Sequence, residues 1–225
     1  MTNVVRTSGV VLIIDQKING AQRQGLDNCR LRNDGFPLLF DPEELSRILS
    51  ESIGSLALVS EKTLFIFPGN SGQIVREYVT LPPGSCETSV FAKWIYGTDL
   101  PASSVGQIPT KTYVDYETEC VFILDDVVSS GQTIKRIRER NLWKFTKARW
   151  CAGCWIDRGV ISKGFDLFHS SITVRHSEDD ERKVPVNSLS TLLEEPKWLR
   201  NYSDKNFSNP EEFISILQEI RKSKK

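Results

Sequence analysis

The 225-residue sequence has no excess of charge of either sign and no long hydrophobic run. Its 29 Lys and Arg are balanced by 29 Asp and Glu, so no net field attracts nucleic acid or an anionic membrane surface. No stretch approaches the roughly 18 to 20 apolar residues that cross a bilayer. The apolar run over residues 10–14 ends at Asp15, too early for the core of a signal peptide. We therefore expect a cytoplasmic protein that binds neither membranes nor nucleic acid.

The chain has too few cysteines, and an odd number of them, for a disulfide framework. The chain has five cysteines, which favours free thiols in a reducing compartment. Cys151 and Cys154 form one C-x-x-C pattern, but they lie in a predicted strand, where their sulfurs would point to opposite sides. A tetrahedral zinc needs two more ligands, and only His169 and His176 follow nearby. We expect these two cysteines to pack in the strand and not to bind a metal.

Short apolar runs alternate with amphipathic segments along the chain. The alternation favours an α/β fold, with an open, mostly parallel sheet flanked by helices. Ligands bind such sheets at the carboxyl ends of the strands. We predict strands over residues 10–14, 56–59, 64–67, 90–96, 121–124, 148–156 and 172–176. We predict helices from Asp41 to Gly54, over residues 74–79 and 132–142, and from Asn209 onward, with a loop over residues 21–35.

The most informative segment is residues 121–134, VFILDDVVSSGQTI. Four apolar residues predict a strand buried on both faces, and an acidic pair, Asp125 and Asp126, follows them. The small residues after the pair precede a helix, whose N-terminal amides carry partial positive charge and suit a phosphate. Two carboxylates would repel a phosphate but can accept hydrogen bonds from vicinal hydroxyls. A ribose with a phosphate on its 5-carbon satisfies both halves of this segment.

This segment resembles the motif with which type I phosphoribosyltransferases bind 5-phosphoribosyl 1-pyrophosphate (PRPP). The resemblance implies that Asp125 and Asp126 are the catalytic pair, which holds the ribose hydroxyls. It also implies a 5-phosphate site in the following turn, although Gln132 stands where the family most often has Gly. The residues of that phosphate turn are Ser129, Ser130, Gly131, Gln132 and Thr133.

Two further elements of the family have counterparts earlier in the chain. The family has a pyrophosphate loop after an earlier strand, and the segment after Phe67 occupies the matching place. Asn70 stands where many members have Arg or Lys, and an amide stabilises a phosphate less than a cation does. A loop over the active site would fall within residues 97–116, where Lys111 is a candidate contact to phosphate. The implied pyrophosphate loop consists of Gly69, Asn70, Ser71 and Gly72.

The resemblance also assigns the end of the site that binds the base. Asp157 and Arg158 follow the strand predicted over residues 148–156. The 6-oxopurine branch of the family has Lys where this chain has Asp157, and an acid where it has Ser129. An acid at position 157 would accept a hydrogen bond from the base, so a hypoxanthine or guanine enzyme is not expected. We predict a single domain with its core at about residues 55–160, and residues 1–54 and 161–225 as the hood and flanking elements.

Two functions from different classes fit these residues. The first is transfer of phosphoribosyl from PRPP to a nitrogenous base with release of pyrophosphate, with Mg²⁺ bound through the substrate. The alternative is a non-catalytic sensor of PRPP or nucleotide that acts with a protein partner. The charge missing at Asn70 favours the sensor, whereas the acid pair and the phosphate turn fit both. The resemblance further implies a homo-oligomer, most simply a dimer.

Overall fold

The structure is a computed structural model, and it describes residues 3–56, 62–95, 102–109, 117–158, 164–177, 183–194 and 196–223. Lys111 and most of the strand predicted over residues 56–59 lie outside these ranges. The helices are α1 Gly20–Asn28, α2 Pro42–Gly54, α3 Gly69–Tyr78, α4 Gln132–Asn141, α5 Leu189–Glu194, α6 Pro196–Asn206 and α7 Pro210–Lys222. The strands are β1 Asn3–Arg6, β2 Val11–Ile13, β3 Leu38–Phe40, β4 Thr63–Pro68, β5 Cys86–Val90, β6 Ala92–Ile95, β7 Ala102–Val105, β8 Cys120–Val128, β9 Arg149–Asp157, β10 Leu167–Arg175 and β11 Val186–Ser188.

The largest sheet has six strands in the order β1-β10-β9-β8-β4-β5. Strand β8 pairs in parallel with β4 on one side and with β9 on the other, and β9–β10 and β4–β5 are also parallel. The predicted α/β class with an open, mostly parallel sheet is confirmed. Because neighbouring parallel strands end at the same edge, the segments that follow β4, β8 and β9 come together there.

Strand β8 occupies a central position because its side chains are apolar on both faces. Residues 120–124 are all buried, and the stacked rings of Phe65 and Phe122 pack against each other across β4 and β8. The strand does not end before the acid pair, as the sequence suggested, but continues through Asp125 and Asp126 to Val128. The reason is that β9 is equally long and pairs with β8 in register as far as Val128 and Asp157.

The contacts within the chain define two compact units. The first unit comprises residues 1–3 and 45–173, so it begins earlier and ends later than the predicted core of 55–160. Helix α2 accounts for the earlier start, because Trp155 Nε1 donates to Ser46 Oγ at 2.8 Å. Strand β10 accounts for the later end, because it pairs with β9 and Ser171 Oγ donates to the carbonyl of Leu45 at 2.6 Å.

The second unit joins the two terminal segments, residues 4–44 and 174–225. It contains a parallel three-stranded sheet, β11-β2-β3. Its core is formed by side chains from β2, α1, α5, α6 and α7 and from the segments beside them. The ring of Phe207, between α6 and α7, stacks on that of Phe213 with the centroids 3.9 Å apart. Helix α7 begins at Asn209-Pro210 as predicted. None of the helices in the described ranges is long and apolar enough to cross a membrane.

The predicted loop over residues 21–35 is wrong in its first half, which forms helix α1. Asn19 accepts from Gln22 N at 2.9 Å, and the Gln22 side chain accepts from Asn19 N at 3.0 Å, which completes a capping box. This reciprocal cap satisfies two backbone donors and starts the helix in spite of its polar composition. The side chain of Asp41, the residue directly before α2, forms a bidentate ion pair with Arg23.

The C-x-x-C segment lies in β9, as predicted, and all five cysteines of the chain are free. Cys151 pairs in register with Phe122, and Cys154 pairs with Asp125. Their odd spacing places the two sulfurs on opposite faces of the strand. Cys151 Sγ lies 3.9 Å from Cys120 Sγ, whereas Cys154 is fully buried beside the acid pair.

Candidate functional site

Two helices begin at the carboxyl edge of the first unit's sheet, each directly after a strand. Helix α3 starts at Gly69 after β4, and α4 starts at Gln132 a short turn after β8. Strands β4 and β8 are hydrogen-bonded neighbours, so the two helix N-termini lie next to each other at one edge. Each N-terminus offers unpaired amide donors and a partial positive charge. The same edge of the sheet therefore carries the partial positive charge of two helix N-termini.

The phosphate turn, residues 129–133, is shaped by Gly131. This residue is the N-cap of α4 and adopts a left-handed conformation with φ 68°, which costs a residue with a side chain about 1 to 2 kcal/mol. Ser130 Oγ accepts from Gln132 N at 3.4 Å, while Ser129 and Ser130 remain half-buried. The turn thus places hydroxyl groups next to the amides of the helix N-terminus, which suits a phosphate.

The pyrophosphate loop, residues 69–72, differs from the expected loop because it is the first turn of helix α3. Gly69 makes this abrupt start possible: its φ is 57°, and a Cβ there would lie 2.5 Å from the carbonyl oxygen of Ala92. Asn70 is exposed, and Ser71 is half-buried. The amides of this first turn are therefore aligned with the helix axis instead of being scattered along a loop.

The acid pair, Asp125 and Asp126, lies on β8, beside the first turn of α3 and a few residues before α4. Asp125 is buried with 7% of its surface exposed, and its Oδ1 accepts from Ser71 Oγ at 2.7 Å and from Asp126 N at 3.0 Å. Burial raises the pKa of the Asp125 carboxyl to about 6, while the hydrogen bonds from Ser71 and Asp126 act in the opposite direction. Asp126 is more accessible, and its Oδ1 accepts from Val127 N at 2.6 Å.

Asp157, the last residue of β9, and Arg158, directly after it, lie at the same edge. Arg158 N donates to the carbonyl of Val128 at 2.9 Å, and its guanidinium donates to Ser129 Oγ at 3.2 Å. Asp157 is buried in register with Val128. Burial, followed by the nearby charges of Asp157 and Asp125, raises the pKa of the Cys154 thiol, so this thiol stays protonated and unreactive.

The structure therefore brings together the acid pair, the phosphate turn, the pyrophosphate loop and the Asp157–Arg158 segment, all within the first unit. Lys111 lies outside the described residues. Sequence reasoning missed two contacts at the site, from Ser71 to Asp125 and from Arg158 to Ser129. Both join residues from different strand ends, and no spacing in the sequence marks such a contact.

Comparison with solved structures finds phosphoribosyltransferases among the similar chains. The xanthine-guanine-hypoxanthine phosphoribosyltransferase of Helicobacter pylori matches with a TM-score of 0.45 and 13% identity, over 65% of this chain and 86% of that one. The orotate phosphoribosyltransferase of Aeropyrum pernix matches with a TM-score of 0.33 and 17% identity, over 69% and 75%. A Neisseria gonorrhoeae protein solved with bound ppGpp matches with a TM-score of 0.44 and 17% identity, over 76% and 93%. No protein-family model and no curated protein matches the sequence.

Proposed function

We propose that the protein binds PRPP and transfers its 5-phosphoribosyl group to a nitrogenous base, with release of pyrophosphate. One observation carries this proposal: a buried carboxylate, Asp125, lies on the strand that leads into α4 and is hydrogen-bonded to the first turn of α3. A ligand with anionic groups at both ends and hydroxyls between them matches this order of charges. PRPP has its 5-phosphate, its ribose hydroxyls and its pyrophosphate in that order.

Each part of PRPP then has a binding partner. The phosphate turn binds the 5-phosphate through amides and hydroxyls, including the Thr133 hydroxyl. The acid pair accepts hydrogen bonds from the ribose hydroxyls. The first turn of α3 receives the pyrophosphate through backbone amides that have no partner within the helix. Asp157 and Arg158 lie one strand further from β4, where the acceptor base would bind.

The residues fit a Mg²⁺ ion that arrives with the substrate. Mg²⁺ prefers oxygen ligands and keeps several waters and substrate phosphates in its shell. Asp125 Oδ1 already accepts two hydrogen bonds, so we assign no protein ligand to the metal. The ion would neutralise charge on the pyrophosphate oxygens, and the acid pair adds a negative field that favours a cation close by.

The reaction requires little covalent chemistry from the protein. A ring nitrogen of the base forms a bond to the ribose C1, and the bond from C1 to the pyrophosphate oxygen breaks. The electron pair of that bond leaves with the pyrophosphate, whose oxygen can take up the proton that the nitrogen loses. The protein contributes orientation and preorganised charge stabilisation, for which the helix amides and the fixed carboxylate are suited.

The alternative function, a non-catalytic sensor of PRPP or nucleotide with a protein partner, is favoured by Asn70. This exposed residue brings no positive charge to the first turn of α3, so pyrophosphate would be stabilised less as it leaves. A sensor needs the phosphate turn and the acid pair but no support for a leaving group.

Calorimetry followed by an activity assay tests the proposal. Wild-type protein with Mg²⁺ should bind ribose 5-phosphate and PRPP, and the double variant Asp125→Asn, Asp126→Asn should bind neither, although it remains folded. Release of pyrophosphate from PRPP is then measured against a panel of purine and pyrimidine bases. Binding without release for every base would select the sensor, and absence of binding would reject both functions.

A further inference from the structure

Ser71 links two parts of the site that the sequence assigns separately. It belongs to the pyrophosphate loop, yet its hydroxyl donates to Asp125 Oδ1 at 2.7 Å across 54 positions of sequence. A hydroxyl has a single proton to donate. While the hydroxyl donates that proton to Asp125, it can offer only its lone pairs to a phosphate. The contact therefore separates Ser71 from the role that its position in the loop suggests.

The geometry around this hydrogen bond is fixed from both sides. Asp125 Oδ1 also accepts from Asp126 N at 3.0 Å, so two donors converge on one carboxylate oxygen. The helix turn that carries Ser71 is held by Gly69, whose left-handed backbone packs against the carbonyl of Ala92. A buried carboxylate with two fixed donors cannot rotate freely, and its plane is set before any ligand arrives.

We propose that Ser71 is a positioning residue for the ribose subsite: its hydroxyl keeps the Asp125 carboxylate ionised and oriented toward the ribose hydroxyls, and it does not bind pyrophosphate. This inference rests on the proposed function, because it assumes that Asp125 accepts from ribose. It goes beyond that function because it assigns a residue of the pyrophosphate loop to the ribose subsite.

The surroundings of Asp125 explain why such a donor is needed. Asp126 is its neighbour on β8, Cys154 lies in register with it on β9, and Asp157 lies at the end of β9. These groups are acidic or neutral, and burial opposes ionisation of Asp125. A hydroxyl donor stabilises the ionised form, which is the form that accepts hydrogen bonds through both of its oxygens.

Two substitutions at one position test the inference. Ser71→Ala removes the donor, Ser71→Thr keeps it, and Ser85→Ala removes an equally long hydroxyl contact, to the carbonyl of Pro82 at 2.7 Å, elsewhere in the first unit. At pH 7 we expect Ser71→Ala to weaken the binding of ribose 5-phosphate on the order of tenfold, because a hydrogen bond to a charged group is lost. Binding of magnesium pyrophosphate should change less than about twofold, and Ser71→Thr and Ser85→Ala should bind both ligands like wild type.

The pH profile separates positioning from a general structural effect. Without its donor, Asp125 ionises at higher pH. The loss of affinity for ribose 5-phosphate in Ser71→Ala, relative to wild type, should therefore be large near pH 7 and become smaller toward about pH 9. The phosphate of the ligand titrates equally in both proteins and cancels in the ratio. A loss that is the same at every pH, or a pyrophosphate loss as large as that for ribose 5-phosphate, would overturn the inference.

A ligand-free measurement distinguishes failure of this inference from failure of the proposed function. The Asp125 carboxyl carbon, followed by NMR through a pH titration, should have a higher midpoint in Ser71→Ala than in wild type and in Ser71→Thr. Equal midpoints overturn the positioning role whatever the ligand. A raised midpoint in a protein that binds no ribose 5-phosphate would support the contact between Ser71 and Asp125 but reject the ribose site on which the inference rests.

Discussion

The guanidinium of Arg158 donates to the hydroxyl of Ser129 at 3.2 Å, which joins the end of β9 to the beginning of the phosphate turn. Arg158 is held there by its backbone, because its N–H continues the ladder to the carbonyl of Val128 at 2.9 Å. A fixed cation thus borders both the phosphate turn and the place proposed for the base. A substitution can tell which of the two it serves.

Replacement of Arg158 by Met should weaken the binding of a nucleoside monophosphate by at least about tenfold and change the binding of ribose 5-phosphate by less than about twofold. The side chain would lose hydrogen bonds to the base end, each worth about 1.5 to 3 kcal/mol when one partner is charged. Titration calorimetry with both ligands measures the difference, and Lys135→Met, which removes an exposed cation from α4, controls for net charge. Equal losses for both ligands would instead assign Arg158 to the phosphate.

Replacement of Asp125 by Asn should stabilise the protein at pH 8 while it removes ribose binding. The pKa of Asp125 is raised from 3.8 to about 6 by burial, so the folded protein holds a proton that the unfolded chain releases between these values. Stability from this group is full below pH 3.8 and is lost as pH rises through about 6. Above that range the ionised carboxylate costs about 3 kcal/mol, and Asn avoids this cost while it keeps an oxygen that can accept from Ser71.

Urea unfolding at two pH values checks this prediction. The gain in unfolding free energy for Asp125→Asn should be on the order of 3 kcal/mol at about pH 8 and should largely disappear at about pH 4. The same measurement on Asp27→Asn, at an exposed position, controls for the loss of one negative charge. A variant that is less stable than wild type at pH 8 would mean that the charge of Asp125 supports the fold.

Replacement of Thr133 by Val tests the phosphate turn. The side chain lies in the first turn of α4, and Val keeps its shape but removes a hydroxyl donor worth about 1.5 to 3 kcal/mol to an ionised phosphate. Affinity for ribose 5-phosphate should fall at least several-fold, whereas affinity for an unphosphorylated nucleoside should stay the same. Competition binding with both ligands measures the effect, and parallel losses would exclude a phosphate at this turn.

The sequence was sufficient for the α/β class and for the strand and helix that carry the acid pair and the phosphate turn. The apolar run before Asp125 and the turn around Gly131 follow from local rules of burial and backbone conformation, and β8 and α4 lie where these rules predict them. The extension of β8 past the acid pair was not predictable, because it depends on pairing with β9. Helix α1 was missed because its stability comes from the reciprocal cap of Asn19 and Gln22 more than from an apolar face.

The contacts within the site were less accessible to sequence reasoning. Ser71 and Asp125 are brought together by the pairing of β4 with β8 and by the abrupt start of α3 at Gly69. The first depends on the register between distant strands, and the second depends on the space beside the carbonyl of Ala92. Neither leaves a pattern in the residues themselves, so Ser71 could be assigned to the pyrophosphate but not to the acid pair.

Replacement of Asn70 by Arg tests how the first turn of α3 receives pyrophosphate. Asn70 is exposed at the N-terminus of the helix, so a longer cationic side chain can be accommodated without repacking. The added charge should tighten the binding of PRPP and of magnesium pyrophosphate several-fold and leave the affinity for ribose 5-phosphate unchanged. Glu77→Gln, which adds the same net charge elsewhere on α3, is the control. No gain for either pyrophosphate ligand would place the pyrophosphate away from this turn.

The most direct test of the central claim compares two ligands on the wild-type protein. In the presence of Mg²⁺, calorimetry measures the dissociation constants of PRPP and ribose 5-phosphate. A site built for phosphoribosyl transfer receives the two additional phosphates at the start of α3, so PRPP should bind at least about tenfold more tightly, equivalent to about 1.4 kcal/mol. Equal affinity for the two ligands would contradict the transferase and leave a binding protein for monophosphates.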